Sequence, residues 1–190
     1  MSYLRDNKVW EEEDNINYDI IEISKVDDKI IRRLIKNLRL HTSDLSDNFF
    51  ISFESLLKLG KKIEPVLDSF MNEIREIHYF KVDIFNFIFE FVKNNTIKYV
   101  LVPQLYHPDF VVRARTILKL ELTGDMNYLK FLLPLLSDPD DAVRWALIRF
   151  LNKHIHLLRN PLVYKELKSY AQKELNPVIK EKMIELFKKT

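Results

Sequence analysis

His107-Pro108-Asp109-Phe110-Val111-Val112-Arg113 and Asp138-Pro139-Asp140-Asp141-Ala142-Val143-Arg144 carry the same short grammar twice, with the prolines and the arginines each 31 positions apart. A polar residue, a proline and an aspartate lead through a brief apolar step to an arginine, and an amphipathic segment follows. In the second copy Val143, Ala146, Leu147, Phe150 and Leu151 fall at i, i+3, i+4, i+7 and i+8, the stripe of a helix with one buried face. A fixed period of roughly 20 to 50 residues marks a stack of helical units that share one core.

Helix punctuation extends this reading in both directions. Asn160 before Pro161 and Asn176 before Pro177 each offer a capping acceptor followed by a proline at the first helical position, where its missing N–H costs nothing. Asp138 before Pro139 reads the same way, with Asp141 at capping-box spacing. Gly60 and Gly124 stand where left-handed caps would end helices. The chain is therefore expected to be all-α, with about five antiparallel helix pairs. First helices fall near 27–40, 63–79, 96–106, 126–136 and 161–174, and their partners near 48–60, 82–93, 109–122, 140–154 and 177–189. Residues 1–26 fit less well: Tyr18, Ile20, Ile21 and Ile23 read as a short strand or an extended arm. They are assigned as an extension capping the apolar end of a repeat domain over 27–190.

Composition agrees. A length of 190 residues suffices for one sizeable core, and 47% hydrophobic content with only 2 Gly argues for packed helices over a disordered chain. The strongest apolar run, Ile84–Val92, is interrupted by Asn86 and Glu90, too short and too polar to span a bilayer, which needs about 20 apolar residues. No membrane association is expected. The N-terminus has no apolar leader core; Trp10 is followed by Glu11, Glu12, Glu13 and Asp14, which points to the cytoplasm. The absence of cysteine excludes disulfides and cysteine-ligated zinc. A net charge of +2 hides an asymmetry: residues 1–28 carry three Lys or Arg against nine Asp or Glu, and residues 141–190 carry eleven against five. Such separation can orient a partner or join two copies end to end, or it can reflect solvated faces that happen to differ.

The Pro, Asp, Val and Arg grammar, with a glycine closing the preceding helix, resembles the HEAT-repeat family and its short bacterial and archaeal relatives. Leu56-Leu57-Lys58-Leu59-Gly60, followed by Ile63, Pro65, Val66 and Leu67, is similar to that family's joint between repeats. The resemblance covers roughly 27–190 and implies a right-handed α-α superhelix, or solenoid, whose second helices line a concave face that binds proteins or nucleic acids. It also implies a ladder in which the repeated arginine pairs with the turn aspartate, making Asp109 and Asp140 the expected partners of Arg113 and Arg144. The sequence departs from the pattern in places. Ala114 and Ala146 stand 32 apart, and the first two pairs lack the Pro and Arg grammar.

The candidate binding residues are Arg113, Lys119, Trp145, Arg149 and Lys153. With Val143, Ala146, Leu147 and Phe150 facing inward, Trp145 and Arg149 fall on the opposite side, four positions apart and so adjacent on the helix. Trp and Arg dominate binding hot spots. Packing of Trp145 against the next repeat is the structural alternative, as is an inter-repeat ladder for Arg113. A cationic strip with an aromatic also suits nucleic acid. Tyr79-Phe80-Lys81-Val82-Asp83, with Arg113 and Trp145 downstream, resembles in part the bacterial alkylpurine DNA glycosylases, although Tyr79 stands where those have tryptophan. His154 and His156, two apart, do not share a helix face as zinc ligands would, and no metal or cofactor is expected. No phosphate loop or nucleophile elbow is present. The leading expectation is a non-enzymatic HEAT-like module that binds a protein partner on its concave face. The alternative is nucleic-acid binding through the basic C-terminal repeats.

Overall fold

In the computed structural model, which describes residues 26–95 and 97–189, every regular element is helical. The helices are α1 (Asp28–Asn37), α2 (Asp47–Leu59), α3 (Glu64–Glu73), α4 (Tyr79–Asn94), α5 (Val102–Leu105), α6 (Phe110–Thr123), α7 (Leu129–Leu132), α8 (Asp141–Lys153), α9 (Pro161–Lys173) and α10 (Pro177–Lys188), with single 3₁₀ turns between several of them. The assignment of residues 1–26 as a cap falls almost wholly outside the described residues.

Local chemistry fixes the starts. Asp27, Ser46, His78, Asp109, Asp140, Asn160 and Asn176 each accept a bond from a backbone N–H in the first turn of their helix. The side-chain acceptor supplies a partner that the first turn lacks within the helix. Pro161 and Pro177 occupy the first helical position. The cap of α8 differs from expectation: Asp140, not Asp138, bonds the Ala142 N–H, and Pro139 stands outside the helix. Gly124 ends α6 in the left-handed region at φ 67°. Gly60, at φ 53° and ψ −132°, leads into a 3₁₀ turn (Gly60–Ile63) that runs directly into α3. The expected first helix of the third pair shrinks to the four residues of α5. That of the fourth is split into 3₁₀, α and 3₁₀ turns across 126–137, because Pro134 cannot donate to the helical ladder.

Packing follows the repeat most clearly in the middle of the chain. α6 lies against α8 along its length, and α8 against α10; α1 packs on α2, and α9 on α10. The buried positions of α6 are Arg113, Thr116, Ile117, Leu120 and Glu121, and those of α8 include Val143, Ala146, Leu147, Phe150 and Leu151. Burial thus recurs after 30 positions while the Pro and Arg grammar recurs after 31. The single-residue slip puts Arg113 in the seam where the next repeat has Val143, and leaves Arg144 at the seam's edge.

The apolar core is one continuous cluster from Ile31 to Leu186. Contacts also skip over intervening units. Phe49, Phe50 and Phe53 of α2 surround Tyr106. The Ser137 hydroxyl donates to the Ser43 carbonyl at 3.0 Å, Phe80 stacks on Tyr170, and the Tyr79 hydroxyl bonds Glu166. The N-terminal units are thereby fastened to α9 and to the turn before α8.

Candidate functional site

The two repeated arginines come first because their surroundings decide what they can bind. Arg113 is 1% exposed. Its Nε and one terminal nitrogen hold both oxygens of Asp138 at 2.8 and 2.9 Å, and the other terminal nitrogen donates to the His107 and Pro108 carbonyls at 2.8 Å. Its guanidinium carbon lies 3.8 Å from the centre of the Phe50 ring. Every face of the group is engaged, so Arg113 is withdrawn from the candidate surface. Arg144 repeats the logic nearer to solvent: it clamps both oxygens of Glu174 at 2.8 and 3.0 Å, bonds the Asp138 carbonyl at 2.7 Å, and meets Asp141. The pairing partners are thus Asp138 and Glu174, not the expected Asp109 and Asp140. Those two aspartates cap helices. Arg144, helped by the Asn176 N–H, draws the Glu174 carboxyl below the usual range despite its burial.

Trp145 and Arg149 do come together. They line one wall of a groove of about 250 Å³ between α8 and α10, completed by Ile148 and Asn152 on α8, by Lys182, Glu185 and Leu186 on α10 and by Lys189 at its C-terminal cap. The indole is 36% exposed, so it neither packs fully against α10 nor stands free. Arg149 is held loosely by Glu121 of α6 at 3.4 Å, Lys182 pairs with Glu185 at 2.8 Å, and Lys189 donates to Asn152 at 2.7 Å. Lys119 and Lys153 are exposed on α6 and α8, and neither lines this groove. Of the five candidates the structure therefore gathers two, leaves two on flanking surface, and buries one.

Lys182, Glu185 and Lys189 are the groove residues that the one-helix reading misses. They fall at i, i+3 and i+7, two on α10 and Lys189 at its cap, and this stripe is legible once α10 is known to lie beside α8. The residues of the partial likeness to alkylpurine glycosylases are not brought together in the groove of Trp145. Arg113 borders a different depression, with Asp47, Phe110 and Asp140, and Asp83 lines neither one, being paired instead with Lys130 at 2.8 Å. Tyr79 is bonded to Glu166, and burial together with that carboxylate pushes its hydroxyl pKa well up.

A second, wider depression of about 540 Å³ lies between the Ser43–Asp44 turn and α9, with Arg144, Tyr170 and Glu174 in its walls. Among the described residues no cluster of three or more His, Asp or Glu is arranged to hold a metal ion, and no helix is long and apolar enough to cross a membrane.

No curated protein and no solved structure matches the chain. A family model does match: residues 99–188, from just before α5 to the end of α10, fit the model of HEAT repeats. That stretch, just under half of the chain, holds both copies of the Pro, Asp and Arg grammar, both arginine clamps and nearly all of the groove of Trp145, and over it the chain is similar to HEAT repeats.

Proposed function

We propose that the chain is a non-enzymatic protein-binding module, a right-handed superhelix of about five helix pairs over residues 27–190, whose partner docks on the concave side lined by α6, α8 and α10. The observation that carries the reading is the Trp145 and Arg149 groove. The partly exposed Trp145 indole lines the groove beside Arg149, Lys182 and Lys189, and the Ile148 and Leu186 side chains that also border it are almost wholly buried. Large aromatics and arginine in partly enclosed positions are the residues that anchor protein interfaces, because each removes much apolar area from water at little conformational cost. HEAT repeats commonly serve this purpose. Lys119 on α6 and Lys153 on α8 are exposed outside the groove, and as rim residues they would steer association more than hold it.

Glu121 and Glu185 sit among the cations, which favours a protein partner over a polyphosphate. The test is affinity capture from native lysate, with and without nuclease, comparing the parent chain with Trp145→Ala, Arg149→Gln. The double variant should lose roughly 90% or more of the captured protein, the tenfold loss expected for a hot-spot residue, while its melting temperature stays close to the parent's. Capture that disappears with nuclease, or that survives the double variant, would overturn the reading.

A further inference from the structure

The partner's chemistry can be narrowed, and the argument rests on the protein-binding reading above. The groove between α8 and α10 presents the partly exposed Trp145 indole as its apolar group, with Arg149, Lys182 and Lys189 beside it. An occupant that fits presents one large apolar group followed closely by several carboxylates. This chain encodes such a segment: Val9-Trp10-Glu11-Glu12-Glu13-Asp14, an aromatic followed by four consecutive acids, within the 25 residues that precede the described part of the chain. The two regions carry opposite excess charge, nine acids against three bases over residues 1–28 and eleven bases against five acids over 141–190. We infer that the groove of Trp145 is a docking site for the acidic segment around Trp10 of a second copy of this chain.

Trp10 would stack on the exposed part of the Trp145 indole, where paired aromatics gain beyond their buried area. Glu11 to Asp14 would draw Lys182 and Lys189 away from weak surface partners and add acceptors to Arg149, which keeps its contact with the buried Glu121. Exposed pairs such as Lys182 with Glu185 contribute little to stability and are readily exchanged for a denser run of carboxylates. Each copy carries one segment and one groove, so the contact is head to tail.

The test uses a fluorescent peptide of residues 1–25 as the probe and the full-length chain with Glu11→Gln, Glu12→Gln, Glu13→Gln and Asp14→Asn as the receptor, so that its own segment does not compete. Saturable binding is expected. It should weaken about tenfold or more when the receptor also carries Trp145→Ala, and again when it carries Lys182→Glu with Lys189→Glu. It should also weaken as salt rises from about 50 to about 500 mM. Both lysines sit at the surface, so the second variant tests charge without touching the core. The parent chain should also show a larger solution mass at low salt than the neutralised variant. Peptide binding that is indifferent to both receptor variants, or a parent mass that matches the neutralised variant's at every salt, would overturn the inference. If the peptide fails to bind while Trp145→Ala, Arg149→Gln still abolishes capture from lysate, the protein-binding reading stands and only the self-docking falls.

Discussion

Truncating Arg113 would strand the Asp138 carboxylate, which is buried, accepts both guanidinium bonds, and has no exit to water. Removing one member of such a pair costs far more than the pair contributes, because the remaining charge stays buried. Arg113→Ala is therefore expected to lower unfolding free energy by about 3 to 5 kcal/mol. Arg113→Met combined with Asp138→Leu should recover a large part of that loss, as read by urea denaturation; a double variant no better than the single one would refute this. The grammar made Arg113 and Arg144 visible in the sequence but not their partners. Asp138 precedes a proline and reads as a cap, and only the tertiary approach of the 138 turn to α6 turns it into a counter-ion. Glu174, 30 positions from Arg144, carries no local signal at all. Lys81 was equally silent. It is fully buried, donates to the Leu38, Arg39 and Asp44 carbonyls at 2.7 to 2.9 Å, and thereby closes the C-terminal end of α1. Burial pulls its pKa down from 10.5 to about 8. Between those values the unfolded chain holds the extra proton, so this lysine makes the fold more stable as pH rises through the window, and the gain is lost as pH falls through 8. Buried Tyr106, whose hydroxyl pKa is pushed well up, opposes the trend only above about pH 10, where unfolded tyrosine ionises. The urea midpoint should thus climb between about pH 8 and 9.5, and Lys81→Met should flatten the climb. An unchanged slope in that variant would assign the effect elsewhere.

Among the elements, the caps were the most legible feature and also the most directly testable. Asn176 accepts from the Val178 and Ile179 N–H groups at 3.0 and 3.3 Å, and its amide donates to Asp141 at 2.7 Å, so one side chain both starts α10 and ties it to the start of α8. Asn176→Ala should destabilise the chain by about 1 kcal/mol for the cap, and Asn176→Asp should cost more than Asn176→Ser because it sets a second carboxylate against Asp141. Thermal melts of the three variants decide this; equal losses would mean that the contact with Asp141 is immaterial. Asn160, Asn176 and Gly124 were readable because caps depend on chemistry within a few residues. The lengths of the third and fourth first helices were not. Pro103 and Pro134 admit either a helix start or a break, and the choice was made by packing: the 126–137 stretch is pinned by Tyr128 and Phe131 against Tyr99, and by the Tyr106 hydroxyl on the Phe131 carbonyl at 2.7 Å. The Trp145 side of the groove could be read from one helix alone, because i, i+4 spacing is local. The Lys182 and Lys189 side required knowing which helix lies alongside.

At the scale of the whole molecule, contacts that skip units separate this chain from a stack in which each repeat touches only its neighbours. Phe80 is buried against Tyr170 with ring centres 6.4 Å apart, Tyr79 bonds Glu166, and Ser137 reaches Ser43. Such bonds couple the first two units to the last. A strictly linear array can fray from one end, whereas here loosening α9 also uncovers Phe80 and the turn that Lys81 holds. The chain should therefore unfold in a single step. With Trp10→Phe leaving Trp145 as the sole indole, its fluorescence, reporting α8, and far-ultraviolet circular dichroism, reporting all helices, should give coincident urea transitions. Phe80→Ala creates a cavity at the junction and should cost about 3 to 5 kcal/mol, yet shift both probes together, because the damage spreads through the shared core. Should Trp145 instead keep its original midpoint while the dichroism transition moves to lower urea, the N-terminal units would be melting alone, and the fastening described here would be too weak to join the two ends into one cooperative body.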